Sequence, residues 1–181
     1  MHSLSVSFRV AVAVRRVHTK GLSLVANMLR VVAILDTMWD WRSKTSEAGY
    51  RDAPRYFRIN PLNTSGKRLY KLIGPNAALL VTDACRELVS SSKEHGTPDP
   101  KWLFENLTTL KNLDRMDVLL VCGKVAQSTY AKCGFDDEGI RVLHILHPAA
   151  RTWTKDLIQK VTLEISNGRP AQQKEIRTDL G

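Results

Sequence analysis

The chain has no run of about twenty apolar residues, so its sequence offers no segment to span a bilayer. Cysteine is scarce. Cys85, Cys122 and Cys133 are odd in number and nowhere spaced Cys-x-x-Cys, which argues against a disulfide framework, a zinc site or a cysteine-ligated iron–sulfur cluster. A reducing cytoplasm fits that usage. Phosphate-cradling glycine motifs are missing too: neither G-x-x-x-x-G-K-[ST] nor G-x-G-x-x-G occurs. Acidic residues are absent from the first 35 positions, which carry Arg9, Arg15, Arg16, Lys20 and Arg30. Arginines interrupt every apolar stretch there, unlike a secretory signal. The segment reads as a DNA-contacting arm, a transit peptide or a leader.

What is present is an ordinary globular composition with an unusual charge. The 181 residues are 43% apolar, enough for one domain with a proper core. Lysine and arginine total 27 against 18 acids, a net charge of +9. Such a surplus suits a polyanionic partner, nucleic acid first, although it also suits a merely soluble protein. The organisation expected is a basic arm or leader over 1–21, an α/β/α domain over 22–167 and a polar tail over 168–181.

Four short apolar runs are nearly continuous rather than alternating: Leu29–Leu35, Ala77–Val81, Val118–Cys122 and Val142–Leu146. Strands buried on both faces read this way, which predicts a parallel sheet covered by helices. Helical patterns separate the runs. Ser65–Ile73 stops at Gly74-Pro75, Asp99-Pro100 opens a helix with Leu103, Leu107 and Leu110 on one stripe, Lys124–Lys132 ends near Gly134, and Thr154–Ser166 carries Leu157, Val161 and Ile165. The order predicts a three-layer α/β/α sandwich around a four-stranded parallel sheet. Residues 4–14 alternate weakly, as an edge strand or arm would. Residues 22–35 read as a helix ending near Met28 and then a strand, or as one helix. The polar, aromatic stretch Trp39–Pro61 reads as a long functional loop.

Parallel strands send their carboxyl ends to one rim. There the runs deliver Asp36-Thr37, Thr82-Asp83, Gly123-Lys124 and His147-Pro148, with Trp39 and Trp41 close behind. Each has a plain structural reading: an aspartate caps a turn, a histidine caps a strand, a tryptophan packs, a glycine lets another group approach the backbone. Together they place two carboxylates, a lysine and a histidine where α/β folds bind ligands.

These residues resemble the uracil-DNA glycosylase superfamily. Leu35-Asp36-Thr37 stands where that family has its first motif, just past the first strand. His147-Pro148-Ala149 stands where it has His-Pro-Ser. Val118–Ala126 is similar to its apolar strand, Gly-Lys and helix start, and Ser65–Leu72 to its helix after the first motif. The resemblance covers roughly residues 29–165. Two family residues are missing, because Leu35 and Thr37 replace a glycine and a proline. Arg58-Ile59-Asn60-Pro61 is a rival placement of the first motif, with Asp36 preferred.

The resemblance implies a monofunctional, monomeric DNA glycosylase that flips a base out of the stack and needs no metal or redox cofactor. Asp36 would activate water and stabilise the sugar cation, and His147 would hydrogen-bond the departing base. Thr37, Trp39, Asn60 and Asp83 would line the base site. Ser65, Lys67, Lys124, Arg151 and Trp153 would contact DNA, Arg151 and Trp153 following the loop that in this family wedges into the duplex. Asp83 stands where the family commonly has asparagine. An ionised aspartate only accepts hydrogen bonds, which suits the exocyclic amine of a cytosine derivative better than uracil. Enzymes that excise modified phage cytosines in antiviral defence, or that repair uracil, are both compatible. So are a nucleotide- or nucleoside-processing enzyme using the same rim, and a catalytically silent DNA-binding module.

Overall fold

The four apolar runs form one parallel sheet. A computed structural model describes residues 28–37, 54–89, 96–113 and 116–167. Strands β1 (Leu29–Leu35), β2 (Ala77–Asp83), β3 (Val118–Cys122) and β4 (Arg141–Ile145) lie in the order β2-β1-β3-β4. Every adjacent pair is parallel, with Leu35 opposite Asp83 and Ile34 opposite Val121. Helices α1 (Thr64–Ile73), α2 (Pro100–Leu113), α3 (Gly123–Cys133) and α4 (Lys155–Asn167) separate and follow the strands.

The sheet is apolar on both faces because both are covered. Val31, Ala33, Leu35, Leu120 and Cys122 pack with Leu69 and Leu72 of α1 and Val161 and Ile165 of α4. Val32, Ile34, Leu119 and Val121 pack on the other side with Leu103, Leu107 and Leu110 of α2 and Ala126 of α3. This is the expected three-layer sandwich. Each fully buried Leu or Val contributes roughly 1.5–3 kcal/mol over its exposed state.

Local signals set the helix ends. Asn63 caps α1, its side chain accepting the Gly66 N–H at 2.6 Å. Asp99 caps α2 through the Trp102 N–H at 2.9 Å, and Thr154 caps α4 through the Leu157 N–H at 3.2 Å. Helix α3 ends at Gly134 in the left-handed conformation. Two strand boundaries differ from the sequence expectation. β2 runs on to Asp83, because its pairing with β1 continues to Leu35. β4 stops at Ile145, two residues before His147.

The loop expected over Trp39–Pro61 is described from residue 54, and that part is not structureless. Phe57 bridges Val81 antiparallel, exchanging both backbone hydrogen bonds at 2.9 Å, and so occupies the outer edge of β2. Trp39, residues 4–14, the helix expected before Met28, the basic arm and the polar tail lie outside the described residues. No helix among the described residues is long and apolar enough to cross a membrane.

The strand order also fixes a crevice. From β1 the chain passes through α1 to β2 on one side; from β3 it passes through α3 to β4 on the other. The connections leaving the neighbours β1 and β3 diverge, over opposite faces of the sheet. Such a switch point leaves a gap at the carboxyl ends of the two strands. Asp36 and Gly123 are the residues that follow them.

Candidate active site

Asp36 is held from both sides of its own peptide. The Cys85 N–H donates to its carbonyl at 3.1 Å, and the Ala84 N–H donates to the Leu35 carbonyl at 2.9 Å, so β1 and β2 stay paired beyond the strands proper. Asp36 Oδ1 accepts the Thr37 hydroxyl at 3.3 Å and the Cys85 thiol at 3.8 Å. Thr37 Oγ1 in turn accepts the Gly96 N–H at 3.1 Å. These neutral donors help orient the carboxylate.

Cys85 is fully buried, and burial pushes its thiol up to about 11; the Thr37 hydrogen bond opposes this and the Asp36 charge adds to it. At neutral pH it is therefore a protonated donor to Asp36 rather than a nucleophile. Asp83 is 1% exposed, and its charge is felt at the same thiol. The aspartate expected to read a base edge therefore sits beneath the rim, beside Asp36 and Cys85.

His147 reaches the cluster from the far side. Gly123 has φ +88°, and a Cβ built on it would lie 3.0 Å from the His147 Cβ. The close approach anticipated at Gly123 is made by this histidine. Burial lowers the imidazole pKa, and the Asp36 charge partly restores it, so the two side chains share one electrostatic environment. His147 Nδ1 accepts the Ala149 N–H at 3.2 Å. A neutral ring with Nδ1 occupied as acceptor carries its proton on Nε2. His147 is thus an uncharged donor at neutral pH.

The loop that carries His147 is clamped. The Ala150 N–H closes a turn on the His147 carbonyl at 2.9 Å. The same carbonyl accepts the Trp153 indole N–H at 3.0 Å. From α1, the Arg68 guanidinium donates to the Pro148 carbonyl and, at 2.7 Å, to the Ala150 carbonyl, while lying 5.8 Å over the Trp153 ring. Gln127 of α3 donates to the Ile145 carbonyl at 3.0 Å and the Val121 carbonyl at 3.4 Å, fixing the ends of β4 and β3 against each other.

The structure therefore joins Thr37 and Cys85 to Asp36, with His147 within reach of the Asp36 charge and Asp83 acting on the same Cys85 thiol. Asn60 is not with them. It follows the Phe57 bridge on the outer edge of β2, is exposed, and spends its side chain accepting the Leu62 N–H at 2.8 Å. Asp36, not Asn60, is the residue past the first parallel strand. Lys67 and Lys124 are exposed and Ser65 half-buried in the first turns of α1 and α3, at the same rim; Arg151 is exposed on the His147 loop. Trp153 is half-buried, packed against the core and engaged with His147, so it serves as a strut under that loop.

Sequence reasoning missed Cys85, Gly96, Arg68 and Gln127. Cys85 had a signal, since it lies two residues past Asp83 and so on the same side of the extending strand. Arg68 had none: its partners lie some eighty residues away. Among the described residues, no three His, Cys, Asp or Glu side chains are grouped to hold a metal ion. No protein-family model matches the chain, and no curated protein matches it.

Proposed function

We propose that the protein is a DNA glycosylase, which removes a pyrimidine by hydrolysing its N-glycosidic bond. The observation that carries this reading is the pairing at the switch point of a carboxylate, Asp36, with a neutral Nε2–H donor, His147. A glycosidic bond that breaks heterolytically leaves positive character on the sugar and sends an electron pair into the base. Asp36 would stabilise the sugar cation and accept the proton of the water that adds to C1′. His147 would donate to the base oxygen on which negative charge collects, without first having to lose or gain a proton. The exposed cations Lys67, Lys124 and Arg151 at the rim would hold the phosphates on either side.

Asp83, expected to read the base edge, is 1% exposed beneath the rim and is enclosed too deeply to contact a base, so the substrate panel spans uracil and cytosine derivatives alike. The test is alkaline cleavage of labelled oligonucleotides containing uracil, cytosine, 5-hydroxymethylcytosine or its glucosylated form after incubation with the protein. Scission at one of these bases, lost in Asp36→Asn and His147→Ala, is the expected result. Base release from free nucleosides alone, or no abasic site on any substrate, overturns the reading.

A further inference from the structure

Thr37 stands where the uracil-DNA glycosylase superfamily has a proline, and its side chain does what a proline cannot. The hydroxyl donates to Asp36 Oδ1 at 3.3 Å, and its oxygen accepts the Gly96 N–H at 3.1 Å. A hydroxyl that accepts an N–H turns its own proton elsewhere, and the carboxylate is the acceptor it meets. Proline has no hydroxyl and no N–H to take either part. Gly96, 59 positions along the chain, therefore decides where the Thr37 proton points.

Glycine at position 96 is set by space rather than by backbone, since its φ is not positive. A Cβ built there would lie 2.8 Å from the Cys85 Cβ, 3.1 Å from Thr37 Cγ2 and 3.2 Å from Thr37 Oγ1. Cys85 and Thr37 are the two side chains that donate to Asp36 Oδ1, so the glycine packs against both donors at once. Both are short, and the contact is relieved only by moving them. The segment is also fastened. Pro98 bridges Cys85 antiparallel, the Asp99 N–H donates to the Ala84 carbonyl at 2.9 Å, and the Thr97 N–H donates to Glu87 at 2.8 Å. The Ala84 and Cys85 N–H groups hold the Leu35 and Asp36 carbonyls in turn. The end of β1, the end of β2 and the approach to α2 thus lock around one carboxylate.

We propose that Gly96 and Thr37 are positioning residues for Asp36. Gly96 directs the Thr37 hydroxyl and leaves room for Thr37 and Cys85 to reach the same carboxylate oxygen. The proposal rests on the glycosylase reading for the reaction that Asp36 serves, but the placement of the carboxylate is measurable without substrate. Three variants test it: Thr37→Val, which loses the hydroxyl, Thr37→Ser, which keeps it, and Gly96→Ala. The first readout is the His147 ring titration by NMR, because the Asp36 charge raises the imidazole pKa against burial. An untied carboxylate turns among its rotamers and toward water, and its hold on the ring weakens. In Thr37→Val and Gly96→Ala the ring titrates at lower pH than in wild type, part of the way to Asp36→Asn. In Thr37→Ser it titrates as in wild type. Among the described residues, the other titratable groups felt at this cluster are Cys85 and Asp83, both unchanged in all three variants.

The second readout is base release. Thr37→Val slows it about tenfold at saturating DNA, with KM within about twofold. The acidic limb of its pH–rate profile moves to higher pH, because the ionised carboxylate has lost a donor. Thr37→Ser restores rate and profile. An unchanged His147 titration in Thr37→Val, or a Thr37→Ser that shifts as far, overturns the positioning role. So does a lower melting temperature with titration and profile unchanged. Thr37→Val decides alone if Gly96→Ala does not fold. The expected titration shifts, with no base released by wild-type protein from any substrate, overturn the glycosylase reading and leave the placement of Asp36 standing.

Discussion

Gly123 leaves the space that His147 fills: a methyl group on the glycine would stand 3.0 Å from the histidine Cβ, at a backbone φ of +88°. Two costs therefore meet in Gly123→Ala, a strained left-handed backbone and a displaced histidine. Gly134 separates them, because it has φ +68° and nothing within 4 Å. Gly134→Ala is expected to lower stability by about 1 kcal/mol. Gly123→Ala is expected to cost measurably more in urea unfolding and to shift the His147 ring resonances, which Gly134→Ala leaves in place.

The coupling of His147 to Asp36 is readable without any substrate. Burial lowers the imidazole pKa and the Asp36 charge raises it. Removing that charge in Asp36→Asn leaves burial unopposed, so the ring should titrate at a still lower pH. Carbon-detected titration of the histidine ring by NMR measures this directly. An upward movement, or none, would show that the two groups do not interact.

The same shift makes stability depend on pH with a definite sign. The folded-state pKa lies below the unfolded value of about 6.5, so on acidification the unfolded chain takes up the proton first. The stability contributed by keeping His147 neutral is present above about pH 6.5 and is lost as pH falls from there toward the folded pKa. Melting temperature between pH 7.5 and 5 should fall less steeply in His147→Gln than in the wild type.

Arg68 tests the clamp. Its guanidinium satisfies the carbonyls of both Pro148 and Ala150. Arg68→Ala is expected to cost about 1.5–3 kcal/mol in urea unfolding, since hydrogen bonds from a charged donor are lost. Hydrogen exchange over residues 147–153 should rise with it. Arg68→Lys should restore only part of the protection, because an ammonium cannot reproduce the planar fork.

For the proposed chemistry, His147→Ala is expected to slow base release by about 10²–10³, the cost of removing one preorganised donor. Asp36→Asn should lose as much or more. Both should bind a duplex carrying an abasic-site analogue within about threefold of wild type, because the phosphate contacts that dominate affinity are untouched. Gel-shift titration beside the alkaline-cleavage assay separates the two effects.

The fold was legible because its signals are local. A run such as Val118–Cys122 is apolar at every position only if both faces of a strand are covered, and Asp99-Pro100 caps a helix whatever the rest of the chain does. The rim residues Asp36, Asp83, Gly123 and His147 were legible for the same reason, since the end of each strand can be read from its own run. Asn60 was a rival only through its Ile-Asn-Pro motif, since Tyr56–Ile59 reads as a poor buried strand; there Phe57 makes an antiparallel bridge to Val81 on the outer edge of β2.

The sequence by itself determined the elements, their caps and which side chains emerge at one end of the sheet, because periodicity and capping act over a few residues. Only the tertiary structure decided the rest. The order β2-β1-β3-β4 put Asp36 and Gly123 on neighbouring strands. Register carried Cys85 under Asp36, and the packing of α1 brought Arg68 to the His147 loop. Those contacts join residues dozens of positions apart, so no local pattern encodes them. They arise only when the apolar faces have closed and each buried polar group must find a partner within reach.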